Sequence, residues 1–320
     1  MVIKNKQKIV NNSWMELRFH LRVIYFRWKS RMSEAILRLY EQNDSIQNLY
    51  VSVSNKEIFN SQQKSVSKLI NIRSMTKSIV SLLIGIAFKE EYIKSLETPI
   101  NYYLPDAPGH IGIRDLLTMS SGFDIDDKNL YGLVLNSKDW VKSILDLPLS
   151  GERDFRYKGV DYHLLSAIIS KSTGLKMSSF AHIKFFSKLG INDVEWENDP
   201  QGVTVGSTGL KISFESLIKI SKLLINNGFD YNNEIISNDW IKTSVENRIS
   251  TNLSYGDYGY GWWLKSYRGN EIYRALGSGG QQILIYPMEK ISVIITADTK
   301  TFTHLESEDL SNKILDIITS

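Results

Sequence analysis

The 320-residue sequence contains no cysteine. That removes disulfides, thiolate nucleophiles and cysteine-bound metals in one step. Histidine is scarce, with only His20, His110, His163, His182 and His304. No two of them are spaced as metal ligands and no His-Glu-x-x-His occurs, so neither a metal nor another cofactor is expected. His163 falls in a helical pattern and reads as a core residue rather than a catalytic base. Excess charge is also missing. The 38 Lys and Arg against 35 Asp and Glu leave +3, too little to argue for nucleic acid. There is no internal repeat, low-complexity tract or Gly/Ser-rich linker.

Residues 1–33 lack an uninterrupted apolar run of about 7–15 residues. Lys4, Lys6, Lys8, Arg18, Arg22, Arg27, Lys29 and Arg31 face a single acid, Glu16, with Trp14, Phe19, Tyr25 and Trp28 interleaved. Without an apolar core or a small-residue cleavage site this is not a secretory signal. It is also too charged to span a bilayer. The stretch reads as an added helix packed on the domain, with peripheral contact to a membrane surface as the sharper alternative. The cytoplasm is the expected compartment.

What remains is ordinary globular composition, 42% hydrophobic and 23% charged, in a length that suits one large domain or two intertwined ones. Leu49 to Ser54 alternates as a half-buried strand, Asn55-Lys56 turns, and Glu57-Ile58-Phe59 returns. Helical patterns then follow over 111–122, 139–147, 161–171, 177–189, 214–226 and 238–247. Residues 258–264 are aromatic and punctuated by glycine. Strands are expected over 272–276, 282–286 and 291–296, and a helix over 307–318. The fold expected is α/β in the α+β sense: an antiparallel sheet flanked by helices, plus a mainly helical lobe. Residues 1–33 form a basic extension and 34–320 the domain, with the sheet part at about 45–75 and 256–320 and the lobe at about 76–255.

Ser74-Met75-Thr76-Lys77 heads an apolar run, Ile79 to Ala87. On a helix, positions i and i+3 share a face at roughly 5–6 Å, so Lys77 reaches the hydroxyl of Ser74. A run apolar nearly all round is buried, and a buried lysine beside a serine is an arrangement that can take its proton. Taken alone, the spacing fits a capping serine and a solvated lysine better. Two later segments add weight in order. They are Phe155-Arg156-Tyr157-Lys158-Gly159 before the 161–171 helix, and Gly277-Ser278-Gly279-Gly280-Gln281 before a strand.

Together these motifs resemble the serine β-lactamase-like, penicillin-recognising hydrolases. Within them the chain looks like the branch of class C β-lactamases, EstB-type esterases and 6-aminohexanoate-dimer hydrolase-like proteins. Ile113 to Gly122, Ser207-Thr208-Gly209-Leu210 and Tyr258 to Trp263 support the likeness, which runs from about residue 48 to 300. The resemblance implies Ser74 as nucleophile, with Lys77 and Tyr157 as proton-transfer partners. It implies an oxyanion hole from the backbone N–H groups of Ser74 and Gln281, and substrate contacts from Gly159, Ser278, Gly279 and Gly280. The implied reaction is cleavage of a small ester, amide or peptide-like substrate through an acyl-enzyme. Acyl transfer from the same intermediate, as in a transpeptidase, and a non-catalytic ligand-binding homologue are the alternatives.

Two departures narrow the expectation. Gly159 stands where lactamases carry asparagine, and Ser278 where they carry lysine or histidine. Both argue against efficient β-lactam recognition. Lys158 and Arg156 are the candidates for replacement charge.

Overall fold

The computed structural model describes residues 28–61, 69–125 and 130–320. Residues 1–27, which carry most of the basic stretch read as a packed or membrane-surface helix, lie outside the described residues. A first helix, α1, covers residues 28–41. Met32, Ile36 and Tyr40 recur every four positions and are buried, so one stripe of α1 faces the domain. No helix among the described residues is long and apolar enough to cross a membrane.

The strands in order are β1 (Ile46–Val53), β2 (Lys56–Asn60), β3 (Ile70–Asn71), β4 (Val194–Trp196), β5 (Leu210–Ile212), β6 (Phe229–Asp230), β7 (Asn233–Glu234), β8 (Asp257–Tyr258), β9 (Trp263–Tyr267), β10 (Asn270–Gly277), β11 (Gln281–Tyr286) and β12 (Ile291–Ala297). Seven form one antiparallel sheet, ordered β2-β1-β12-β11-β10-β9-β8. The pairing of β1 with β12 joins the two ends of the domain, as expected. Every residue of β11 and β12 is buried, because both faces of the sheet are covered. Trp263–Tyr267 is a strand that its glycine-punctuated approach does not announce.

On one face, α1 and the closing helix α9 (His304–Thr319) bury Ile36, Leu310, Ile314 and Leu315 against β1, β11 and β12. Against the other face packs the helical lobe. It holds α2 (Thr76–Lys89), α3 (Ile113–Leu117), α4 (Trp140–Leu145), α5 (Val160–Thr173), α6 (Met177–Ala181), α7 (Phe214–Ile225) and α8 (Asn238–Glu246). Every residue of α2 from Thr76 to Ala87 is buried, so α2 is the axis of this larger core. The helix expected over 177–189 changes pitch instead. After α6 comes a π turn, His182–Phe186, and then a 3-10 turn, Ser187–Leu189. Phe185 and Phe186 are consecutive and both buried. A widened turn brings both rings to the core, where a regular α-helix would splay them by about 100°.

A small second sheet, β3-β5-β4, ties the chain just before Ser74 to the stretch just after Ser207. This short sheet sets the geometry of the site.

Candidate active site

Ser74 is held by a tight turn that its neighbours specify. Ile72 N–H donates to the Leu210 carbonyl at 3.0 Å, extending β3. Arg73 then takes a left-handed conformation, φ +54°, which a non-glycine residue rarely adopts. Asn71 supports it: its side-chain oxygen accepts the Arg73 N–H at 2.9 Å. A 3-10 turn, Arg73–Met75, carries Ser74, and α2 starts at Thr76. Ser74 therefore sits at the mouth of a buried helix, in the preceding turn rather than in the helix proper.

Lys77 is buried and donates twice, to Ser74 Oγ at 3.1 Å and to the Ser207 carbonyl at 2.9 Å. Its Nζ lies over the ring of Tyr157, 5.0 Å from the centroid, a cation–π contact. The other neighbour of Tyr157 is Trp263, whose ring stacks at 5.9 Å and 24°. Ser74, Lys77 and Tyr157 thus meet in one cleft of about 560 Å³. Gly159 shares that cleft, and the reason it is glycine is local. A Cβ there would stand 2.9 Å from Ser207 Oγ and 3.0 Å from Ser207 Cβ. In this chain Ser207 fills the space beyond position 159, and its main-chain carbonyl holds the lysine. We predict that Gly159→Asn displaces Ser207 and slows covalent labelling at Ser74 by a serine-reactive fluorophosphonate about 10- to 100-fold, since small misplacements cost that much. An unchanged labelling rate in that variant would exclude the role given to Ser207.

Gly277 closes the third side. A Cβ at 277 would lie 2.4 Å from the Ile72 carbonyl and 3.1 Å from Arg73 Cβ, so β10 runs backbone to backbone against the Ser74 turn. Ser278 lines the cleft beside Leu276. Gly279 and Gly280 lie in the hairpin turn from β10 to β11, packed on Thr299 and on Phe302 respectively, and neither lines the cleft. Gln281 sits beyond that turn, paired with Gly277. Its side chain donates to the carbonyls of Gly279 at 3.1 Å and Ala297 at 2.7 Å, and it too is absent from the cleft lining.

The charges next to Tyr157 point elsewhere. Arg156 pairs with Asp124 and Glu152, both at 3.0 Å. Lys158 is buried: Nζ donates to the Phe123 carbonyl at 3.1 Å and stands 3.9 Å from Asp161. Ser121 Oγ donates to the same carboxyl at 2.7 Å. Burial pushes Asp161 up to about 7, against the pull of Lys158, and pushes the lysine down. Neither cation serves the cleft. His163 is likewise buried behind it, 3.2 Å from Asp199.

Three wall residues were given no role by the motifs, although Ser207 falls within one of them. Arg73 lines the cleft, and none of the hydrogen bonds or ion pairs among the described residues uses its guanidinium; its Nε is buried without a partner. Ser207 contributes through a backbone oxygen. His304, the first residue of α9, enters because Phe302 and Thr303 fold over Gly280. Burial and the nearby Arg274 keep its imidazole below the usual value. Its Nδ1 has no hydrogen-bond partner among the described residues, and Tyr255 packs edge-on at 5.6 Å. The apolar wall is Leu130, Leu253 and Leu276, with the rings of Tyr255 and Trp263.

Comparison with known proteins follows the same outline. The family model described as Beta-lactamase matches residues 27–314. No curated protein matches. Among solved structures, a Bacillus anthracis protein described as a 6-aminohexanoate-dimer hydrolase superimposes with a TM-score of 0.75 at 18% identity, covering 88% of this chain and 81% of its own. A class C beta lactamase from Rhodobacter sphaeroides gives 0.69 at 17%, with 90% and 99% covered. The D-amino acid amidase from Ochrobactrum anthropi SV3, complexed with L-phenylalanine amide, gives 0.69 at 14%, with 91% and 98% covered. At these identities the likeness speaks for the fold.

Proposed function

The chain belongs to the beta-lactamase family, a family of serine hydrolases, and on that premise we propose that it cleaves an ester or amide through an acyl-enzyme on Ser74. The observation that carries the reading is the 3.1 Å contact from Lys77 Nζ to Ser74 Oγ in a cleft that Tyr157 also lines. In the proposed reaction Ser74 Oγ attacks the substrate carbonyl carbon. Its proton passes to the Lys77–Tyr157 pair and from there to the departing amine or alkoxide. Water then attacks the ester formed on Ser74, gives up a proton to the same pair, and releases the acid.

The developing oxyanion needs two backbone donors. One is the Ser74 N–H. For the second, the packing of Gly277 on the Ser74 turn favours the N–H of Ser278 over that of Gln281. The position read as a lactam-recognising asparagine is Gly159, backed by Ser207, and no lysine or histidine stands at 278. Both support a substrate other than a β-lactam.

The test is covalent labelling. A fluorophosphonate probe is expected to add to the intact protein at one site, mapped by mass spectrometry to Ser74 and lost in Ser74→Ala. A protein that takes up neither this probe nor a fluorescent penicillin is not a hydrolase of this kind.

A further inference from the structure

Arg274 stands on β10 at 1% exposure, where a guanidinium is costly to keep unless it is paired and hydrogen-bonded. It has both kinds of partner. Its Nη1 lies 3.2 Å from Glu308 of α9, and its Nη2 donates to the Tyr255 carbonyl at 2.8 Å. Lys265, on the neighbouring strand β9, donates to the other oxygen of Glu308 and to the Ser254 carbonyl at 3.3 Å. Burial raises the Glu308 carboxyl, but Lys265 and Arg274 together hold it below the usual carboxylate range, so it stays an anion between the two cations. One carboxylate thus aligns two cations, and each cation holds a main-chain carbonyl of the loop between α8 and β8. Buried ion pairs add little stability over apolar residues of the same volume, so stability alone does not account for this one.

The parts tied together in this way all face the cleft. Tyr255 lines it from the loop and Trp263 from β9. Trp263 is the residue directly opposite Arg274 in the β9–β10 pair, so the two side chains share a face of the sheet. His304 lines the cleft one helical turn before Glu308. Their rings form a row that ends on the proposed proton-transfer tyrosine: His304 on Tyr255 at 5.6 Å, Tyr255 on Trp263 at 5.2 Å, and Trp263 stacked on Tyr157 at 5.9 Å. Glu308 itself does not line the cleft. We propose that Glu308 is a positioning residue: by clamping Arg274 and Lys265 it fixes the Ser254–Tyr255 backbone and the ring row, and through Trp263 it sets the orientation of Tyr157. The proposal rests on the hydrolase reading and deepens it by naming what holds the proton-transfer group in place.

The test is a double-mutant cycle read as the rate of fluorophosphonate labelling at Ser74. Glu308→Gln keeps the shape but takes away the charge that aligns the two cations. It is expected to slow labelling about 10-fold, since small misplacements of a reacting group cost that much. With Tyr157→Phe already in place, the same change is expected to slow it less than about twofold, because the hydroxyl it would misplace is gone. Glu308→Asp, which keeps the charge, is expected to recover part of the rate. No slowing by Glu308→Gln, or equal slowing in both backgrounds, overturns the proposal. If Glu308→Gln does not fold, Lys265→Met replaces it in the cycle. That variant cuts the half-exposed arm, leaves the Arg274–Glu308 pair in place, and is judged by the same two outcomes.

A second arm needs no chemistry at Ser74. Amide hydrogen exchange over residues 251–256, followed by mass spectrometry, is expected to quicken about 10-fold in Glu308→Gln while β11 and β12 keep the parent rate. Unchanged exchange over 251–256 overturns the proposal, and so does a rise of the same size in β11 and β12, which marks general loosening. If Ser74 of the parent takes no label, the hydrolase reading fails, and exchange alone decides whether Glu308 holds the cleft wall. If Ser74 labels and the cycle or the exchange fails, the positioning role falls and the hydrolase reading stands.

Discussion

Ser74→Ala is expected to lower kcat/KM on any ester or amide the protein turns over by about 10⁴-fold or more, because the oxygen proposed to form the acyl bond is gone. Lys77→Met removes the only side-chain amine among the described residues that contacts that oxygen and is expected to cost nearly as much. The double variant should be no worse than Ser74→Ala alone, since the two act as one unit. Tyr157→Phe keeps the ring over Lys77 and its stacking on Trp263 but deletes the hydroxyl, so it tests proton transfer separately. Its expected cost is about 10²–10⁴. Ser74 is only half-buried and, among the described residues, no hydrogen bond it donates holds two elements together, so Ser74→Ala should unfold within about 0.5 kcal/mol of the parent. A Ser74→Ala enzyme within tenfold of the parent rate would show that catalysis runs elsewhere.

The contact between Ser74 and Lys77, the proposed nucleophile and its lysine, was legible because their relation is local. Two residues three positions apart on helical turns meet whatever the rest of the chain does, and the apolar run behind them reports burial. The sheet was legible for a similar reason: Leu49 to Ser54 and 291–296 have the composition of strands, and the chain's two ends supply complementary edges. Tyr157 needed the order of the motifs as well, since an aromatic in a loop says nothing by itself.

What stayed hidden depends on contacts that no side-chain pattern encodes. Ser207 holds Lys77 through a carbonyl oxygen, and every residue has one. It lies 130 positions from the lysine, and the three-strand sheet β3-β5-β4 that joins them is built from strands of two or three residues. His304 reaches the cleft through the turn after β12 packing on Gly280. Gln281 shows the converse. Its motif position suggested a backbone donor into the site; it stands beyond the hairpin turn, paired with Gly277, and its side chain donates to the carbonyls of Gly279 and Ala297. Lys158 and Arg156 were read as replacement cations from their place beside Tyr157. Direction, which sequence distance does not give, sends one into the core and the other to surface carboxylates.

The second large effect is on stability and falls on the buried Lys158–Asp161 pair that anchors the loop carrying Tyr157. Burial raises Asp161 from 3.8 to about 7, with Lys158 and the Ser121 hydrogen bond opposing the rise and Asp115 adding to it. Around Lys158 the same accounting starts from burial, which lowers it, and Arg156 lowers it further while Asp161 and Asp124 raise it. Between about pH 4 and 7 the folded chain therefore keeps a proton on Asp161 that the unfolded chain releases. Folded binds more protons than unfolded, so this group's contribution is complete below about 4 and is lost as pH rises through about 7. The gap from 3.8 to about 7 corresponds to about 4 kcal/mol. Asp161→Asn has the same shape, still accepts from Ser121, and cannot ionise. Urea unfolding at pH 4 should place it within about 1 kcal/mol of the parent. Toward pH 8 the difference should grow in the variant's favour by several kcal/mol, with unchanged m values. Lys158→Met removes the charge that pulls Asp161 down and should move the parent's loss of stability to higher pH. Parallel pH profiles for the parent and Asp161→Asn would mean that Asp161 is ionised throughout. The pair would then be a true buried ion pair rather than a carboxylic acid that keeps its proton beside a lysine.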